Sequence, residues 1–348
     1  MLDAPFQLLL DLRQDTNLFY IFVAILAVLL CIFFLQIFGG LLLFWDKVVP
    51  ACLVVLVTGV LAAGGHYFLF PDPCKCGLTR IEAFEEVVAD HIWGQQVATG
   101  MVVEAMKAHR AARKRNPLVM SLHGGPGTGK TAMSMLLARS MFGHKDDEEL
   151  GTSGVYVIDK PVGATREEYR EFIMTTLDGA LKSARGSLVV FQDMASVPGN
   201  IGSLLKAIFE DSDHNYPCKN EAIFLLSTHI GSKNLEDVAL DSWKDGIDRD
   251  RINRRELQAA ITAASSDTDD RWHRRMIEHN LITKSIPFLP LDRSTVRRCI
   301  IQEMIYLRFL DEDRKSKDVQ AAMRRRKFNP VTHPVFAETG CANISLTV

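Results

Sequence analysis

Two long apolar stretches fill most of the first 70 residues, and short apolar runs punctuate the rest of the chain. Leu18 to Phe44 is almost unbroken, with Gln36 its only strongly polar residue. That run exceeds the roughly 20 residues a bilayer-spanning helix needs, so a membrane helix is expected. Trp45-Asp46-Lys47 interrupts it. The second stretch, Val48 to Phe70, carries Pro50, Thr58, Gly59, Gly64, Gly65 and His66. It either spans or lies partly inserted as a hairpin or monotopic segment. Residues 1–17 hold Asp3, Asp11 and Asp15 against Arg13 alone, the wrong charge for the start of a secretory signal. A retained anchor is therefore expected rather than a cleaved leader. The few cations nearby, Arg13, Lys47, Lys75 and Arg80, lean slightly toward a cytosolic bulk.

Pro71-Asp72-Pro73-Cys74-Lys75-Cys76-Gly77 is a cluster of breakers and marks the boundary to the rest of the chain. A helix is predicted from Arg80 to Ala108, with Thr79 and Glu82 at capping-box spacing and Gly94 a point of interruption. Strands are predicted at Leu118–Leu122, Gly154–Ile158, Leu188–Phe191, Ala222–Leu226 and Ile286–Leu289, the last carrying Pro287 and so placed at an edge. Helices are predicted between them, at Ala132–Arg139, Arg166–Ala184 and Ile201–Glu210. Continuous apolar strands alternating with helices predict an α/β fold: a parallel five-stranded sheet flanked by helices on both faces. From Asp292 onward the pattern is mainly helical with a short tail.

Composition changes this picture little. The 348 residues carry a formal net charge of −2, and the basic runs Arg110 to Arg115 and Arg324 to Lys327 read as solvated helix ends. No nucleic-acid partner is expected. Of seven cysteines, Cys31 and Cys52 lie in the apolar stretches and read as packing residues. Cys74 and Cys76 follow the boundary and could pair elsewhere. Asn343-Ile344-Ser345 is a sequon, but it stands close to the end of the sequence.

The chemistry is concentrated at Gly124-Gly125-Pro126-Gly127-Thr128-Gly129-Lys130-Thr131, which fits G-x-x-x-x-G-K-[ST] at every fixed position. In that motif backbone N–H groups wrap nucleotide phosphates, the lysine reaches the β- and γ-phosphates, and the hydroxyl after it ligates Mg²⁺. A strand candidate precedes it and helix formers follow, as the motif requires. ATP and Mg²⁺ are the expected cofactors, with Thr131 a metal ligand. Hydrolysis also needs an acid at the end of a neighbouring strand and a second acid after it. The run Leu188–Phe191 ends on Gln192, followed by Asp193. Either Asp193 orients the attacking water, or the strand runs one residue further and Asp193 holds the metal. In both registers one of the two acids is missing.

Several further segments resemble torsins, members of the AAA+ superfamily related to Clp-type ATPases. Ile92-Trp93-Gly94-Gln95 resembles the family's F-G-Q element, and Asn116-Pro117-Leu118 its entry to the phosphate loop. Phe191-Gln192-Asp193-Met194 stands in place of F-D-E-M, Phe224 to Thr228 in place of F-L-S-N, and Gly340-Cys341-Ala342 in place of G-C-K. Residues 237–243 and 286–291 are especially close to torsin sequence. The resemblance implies an AAA+ phosphate-loop domain over 74–291, a small helical domain over 292–348, and a hydrophobic membrane region over 1–73. It implies a role in remodelling proteins or membrane in the endoplasmic reticulum lumen or nuclear envelope. It also implies an oligomer of AAA+ subunits, and a membrane-bound activator that supplies an arginine finger. At the finger position this chain has His279-Asn280-Leu281-Ile282.

The departures from the family pattern gather at hydrolysis. Gln192 replaces Asp, Asp193 replaces Glu, Thr228 replaces the water-placing Asn, and Ala342 replaces the lysine that senses the terminal phosphate. Gly340, Cys341 and Ala342 are still expected beside the nucleotide. Losing the lysine removes a charge-assisted contact typically worth about 1.5–3 kcal/mol. The expectation is that ATP binds while hydrolysis is weak and depends on a partner. The alternative is a nucleotide-binding pseudo-ATPase that serves as a membrane-anchored assembly protein. Cys299 and Cys341 stand at positions that resemble the torsin cysteine pair linked to redox sensing.

Overall fold

The structure is a computed structural model that describes residues 80–112, 116–143, 154–182, 186–198, 200–210, 216, 218–267, 271–307, 315–330 and 334–344. Both apolar N-terminal stretches, the breaker cluster, Thr79, Arg113 to Arg115, Cys31, Cys52, Cys74, Cys76 and Ser345 lie outside the described residues. Among the described residues no helix is long and apolar enough to cross a membrane.

Five strands, β1 (Leu118–His123), β2 (Val155–Ile158), β3 (Leu188–Phe191), β4 (Ile223–Thr228) and β5 (Lys284–Pro287), form one sheet in the order β2-β3-β4-β1-β5. Every pairing is parallel. β1 and β4 are buried along their whole length, which explains why neither alternates in sequence. Their side chains alternate in space instead. Leu118, Met120 and Leu122 of β1, with Leu188, Val190, Ile223 and Leu225, enter one core. Val119, Val189, Phe191, Phe224 and Leu226 enter the other.

The first core is closed by α1 (Ile81–His91), α2 (Gln96–Ala111), α3 (Lys130–Phe142), α6 (Ser232–Lys244) and α7 (Arg254–Asp267). The second is closed by α4 (Arg166–Lys182), α5 (Ile201–Glu210) and α8 (Arg271–Glu278). Each fully buried Leu, Met or Phe on these faces contributes roughly 1.5–3 kcal/mol. α3 stops at Gly143, which takes a left-handed conformation and donates to the carbonyls of Ala138 and Arg139.

The segment 291–344 has a core of its own, built from Leu291, Val296, Ile300, Met304, Val319, Ala322, Phe328, Ala337 and Ile344. It comprises α9 (Arg293–Tyr306), α10 (Lys315–Arg324) and a two-stranded antiparallel sheet, β6 (Phe328–Asn329) with β7 (Phe336–Ala337). It is therefore not purely helical. A disulfide joins Cys299 on α9 to Cys341.

Other expectations shift in detail. The helix predicted over 80–108 is two helices, broken at Ile92–Gln95, where Gly94 has φ +68°. A Cβ at Gly94 would stand 2.9 Å from Thr295 Oγ1, so the break lets the α1–α2 turn pack against the start of α9. The expected capping box rests on Thr79 and so lies outside the described residues. The N-cap of α1 is Arg80, with no side-chain cap, and Glu82 accepts from Arg110 at 2.8 Å. An exposed pair of this kind contributes little to stability. β4 runs two residues further than predicted and takes in Thr228. β5 lies at the sheet edge, as expected from Pro287.

Candidate functional site

The strand order places the site. β1 ends at His123 and opens directly into Gly124–Gly129, at the carboxyl end of the sheet. β4 lies between β1 and β3, so the residues that follow β4 stand between the loop and the Gln192–Asp193 pair. Ligands of open α/β sheets bind in the crevice at the carboxyl ends of the strands.

The loop is held in shape from within. Gly124 N–H donates to the Thr228 carbonyl at 3.3 Å, and Thr128 Oγ1 donates to the Gly125 carbonyl at 2.8 Å. Gly129, with φ +108°, is the N-cap of α3, and no side chain occupies that cap. The first N–H groups of α3 are thus left for an anion. Beneath the loop, buried His123 donates from Nδ1 to the Ile230 carbonyl at 3.1 Å. Its pKa is pushed down to about 3, first by burial, with the charges of His273 and Lys130 adding to the effect. His123 is therefore a neutral structural group.

Lys130 is buried and folds back over the loop, donating to the carbonyls of Gly124 at 2.7 Å and Gly125 at 2.8 Å. Burial lowers its pKa to about 8. A buried cation whose partners are two neutral carbonyls fits an incoming anion, which would supply the missing countercharge. Thr131, on the next position of α3, is exposed. Lys130, the capless helix start and the exposed Thr131 together fit the phosphates of a nucleotide and an accompanying Mg²⁺.

Pro126 is exposed at the crest of the loop, and Gly127 beside it is clamped by the C-terminal segment. Cys341 N–H donates to the Gly127 carbonyl at 2.9 Å. A Cβ on Gly127 would fall 2.1 Å from the Thr339 carbonyl oxygen and 2.5 Å from Ala342 N. A Cβ on Gly340 would fall 2.4 Å from the Gly127 carbonyl oxygen. Only glycines permit this approach. The structure thus brings Gly340, Cys341 and Ala342 against the phosphate loop. Arg326 braces them from behind, donating to the Ala342 carbonyl at 2.8 Å and Thr339 Oγ1 at 3.0 Å. Arg326 is half-buried and is not the solvated helix end that the basic run suggested.

The residues expected at hydrolysis are placed differently. Gln192 N–H extends the ladder by donating to the Ile158 carbonyl at 3.1 Å, and its side chain is exposed. Asp193 caps a short 3₁₀ turn, Met194–Ser196. Its Oδ1 accepts from Ala195 N–H at 3.1 Å and its Oδ2 from Ser196 Oγ at 2.7 Å. Both oxygens are engaged within its own turn. Thr228 is buried, and its Oγ1 accepts from Ile230 N–H at 3.2 Å. At the finger position, Asn280 takes a left-handed φ of 51°, and Leu281 and Ile282 pack against the second core.

Two site residues were not singled out for these roles. Gln95, 1 % exposed, donates from Nε2 to the carbonyls of Thr128 at 2.7 Å and Leu289 at 2.8 Å, and accepts from Leu289 N–H at 3.0 Å. It ties the phosphate loop to the segment after β5. His229 is exposed and donates from Nδ1 to the Gly124 carbonyl at 3.1 Å. Burial and the Lys130 charge lower its pKa, while the bond to Gly124 and the Asp193 charge oppose the shift. The only signal in the sequence was its position, shortly after the predicted strand Ala222–Leu226.

A sequence model of the torsin family, described as "Torsin", matches residues 68–191. Among solved structures, a closed-state reconstruction of Hsp104 with ATPγS and FITC-casein is similar with a TM-score of 0.52 and 12 % identity, over 87 % of this chain and 52 % of that one. The chain is similar to torsins over residues 68–191, and its fold is similar to that of this Hsp104 chain. An S. cerevisiae Hsp104–ADP complex is similar at TM-score 0.49 and 13 % identity, over 86 % of this chain and 54 % of that one. The torsin-like chain spans about half the length of either Hsp104 chain. At such identity the likeness speaks to fold alone. The family match takes in the phosphate loop and β3, and it ends at Phe191, one residue before Gln192.

Proposed function

We propose that this torsin-like protein binds ATP with Mg²⁺ at Gly124–Thr131 and hydrolyses it weakly unless a partner completes the site. The observation that carries the reading is a contrast. The loop keeps its glycines, its lysine and its hydroxyl, while both oxygens of Asp193 are spent on its own turn. When bound, ATP supplies the transferable phosphoryl group and Mg²⁺ neutralises its charge. The loop N–H groups and the start of α3 hold the phosphates. Lys130 exchanges its two carbonyl contacts for phosphate oxygens. Neutral, exposed Gln192 supplies no charge to a metal, and Asp193 must leave its cap to help. An arginine finger supplies roughly 10³–10⁵-fold in related phosphoryl transfers, so an apolar residue in its place leaves turnover to an activator.

The resemblance to torsins extends the proposal. The protein acts on proteins or membrane from the endoplasmic reticulum lumen or nuclear envelope, as an oligomer of AAA+ subunits held at the membrane by residues 1–73. The engagement of Asp193 as the cap of its own turn also favours the second reading, a pseudo-ATPase in which ATP only stabilises one conformation. Single-turnover hydrolysis by the full chain in detergent, with and without an activator's luminal domain, separates the two. The first reading expects stimulated turnover that disappears in Lys130→Ala. Tight ATP binding with no turnover under any condition would establish the second. Digestion of the C-terminus by protease added outside sealed microsomes would remove the luminal placement.

A further inference from the structure

We propose that His229, not Thr228, is the side chain that β4 presents to the terminal phosphate, and that it lets the site distinguish a nucleoside triphosphate from a diphosphate. The inference rests on the nucleotide-binding reading above and assigns the specificity of that same site.

Thr228 is the residue at the end of β4, paired in register with His123. Its hydroxyl oxygen accepts from Ile230 N–H, and its side chain is buried. Rotating it toward a nucleotide would break that bond. The next residue has the opposite character. His229 is exposed, and its Nδ1 donates to the Gly124 carbonyl oxygen. Lys130 Nζ donates to the same oxygen. The imidazole and the ammonium therefore converge on one atom at the entrance of the phosphate loop. Whatever anion draws Lys130 off that oxygen arrives beside the His229 ring.

The side from which it arrives is set by the strand order. β4 separates β1, which carries the loop, from β3, which carries Asp193. The terminal phosphate of a bound triphosphate points toward the residues at the end of β3, because the attacking water must approach there. His229 stands on that side, within electrostatic reach of both Lys130 on α3 and Asp193 after β3. A diphosphate ends at the β-phosphate, which the loop and Lys130 already hold, and leaves His229 without a partner.

The tautomer makes the contact proton-linked. Nδ1 faces a carbonyl, so it carries a hydrogen. In the neutral ring Nε2 then holds a lone pair, which repels a phosphate oxygen. Donation from Nε2 requires the imidazolium. In the free protein Lys130 disfavours that form and Asp193 favours it. Phosphate binding reverses the balance, because it neutralises Lys130 and adds negative charge beside the ring. Triphosphate binding should take up a proton at His229, and diphosphate binding should not.

The test is to measure the affinity of the full chain for AMP-PNP and for ADP, both with Mg²⁺, between pH 6 and pH 8.5. His229→Asn keeps an amide nitrogen at the place of Nδ1, and so the Gly124 contact, but removes the far nitrogen. His229→Gln places an amide nitrogen near Nε2 without a titrating charge. In the wild type the preference for AMP-PNP over ADP should rise by about tenfold as pH falls from 8 to 6, the size of one charge-assisted contact. His229→Asn should lose that preference with ADP affinity unchanged. His229→Gln should keep part of the preference and lose its pH dependence. Comparing the three proteins at each pH cancels the titration of the nucleotide and of Lys130, which they share. Retention of the preference and its pH slope in His229→Asn overturns the proposal, as does equal loss of both nucleotides by a variant with unchanged melting temperature. Failure of the wild type to bind either nucleotide overturns this inference and the nucleotide-binding reading together.

Discussion

Gln95 is the least conspicuous residue at the site and the most exacting to replace. Its amide satisfies three buried backbone groups, the carbonyls of Thr128 and Leu289 and the N–H of Leu289. Gln95→Ala deletes all three bonds at once. An unsatisfied buried polar group costs about 1–3 kcal/mol, and water entering the vacated space recovers part of that. A net loss of about 3 kcal/mol is expected, which corresponds to a fall in melting temperature of roughly 6–12 °C for a domain of this size. The loop is released with it, so nucleotide affinity should fall too, although Gln95 itself is buried behind the loop. Gln95→Glu refines the test. A protonated carboxyl still donates to one carbonyl and accepts from Leu289 N–H. A carboxylate points charge at two carbonyl oxygens in a buried site, so its folded-state pKa is raised above the unfolded value of about 4.3. Relative to wild type, the variant should therefore be least impaired at low pH and lose stability as pH rises past 4.3. Thermal shift measurements between pH 5 and pH 8 read this directly. A melting temperature within 2 °C of wild type for Gln95→Ala, or a pH-independent Gln95→Glu, would refute the reasoning.

Three further outcomes follow from the same geometry. Gly127→Ala drives a methyl into the Thr339 carbonyl at a left-handed φ of 65°, so it should separate the C-terminal loop from the phosphate loop and cost about 2 kcal/mol or more, seen as a lower melting temperature. Lys130 has a folded pKa near 8, below its unfolded value, so the folded state binds fewer protons and its stability relative to Lys130→Met should rise between about pH 8 and pH 10.5; the melting-temperature difference between the two proteins should narrow over that window, and a constant difference would contradict it. Asp193→Ala removes a cap, at a cost of about 1 kcal/mol, and should leave single-turnover hydrolysis without activator close to its wild-type value; a 100-fold drop would show that Asp193 leaves its cap to act.

The large fold was legible because its signals are local. Five apolar runs separated by helix formers specify a covered parallel sheet, and a fixed-spacing loop locates the phosphate site. What stayed hidden depends on partners distant in sequence. The three bonds of Gln95 reach residues 33 and 194 positions away. Arg326 sat in a basic run whose ordinary fate is solvent, and only the packing of residues 339–342 against Gly127 gives it acceptors. The split between α1 and α2 was signalled by Gly94, but its reason lies across the fold at Thr295. The setting of Thr228 was hidden for a different cause. The expected strand stopped at Leu226, so the turn in which its hydroxyl oxygen accepts from Ile230 N–H was not foreseen.

These placements bear on how the site could drift without falling apart. The C-terminal loop meets the phosphate loop through main chain, by Cys341 N–H on the Gly127 carbonyl and by the close passage of two glycines. The side chain at 342 takes no part in that contact, so alanine there keeps the approach while giving up a charge that would reach the nucleotide. Asp193 likewise keeps its turn intact whether or not it serves catalysis. The contacts that keep 291–344 against the loop therefore place no demand on the side chain at 342. A chain of this kind can lose sensing groups one at a time and keep a formed phosphate loop throughout.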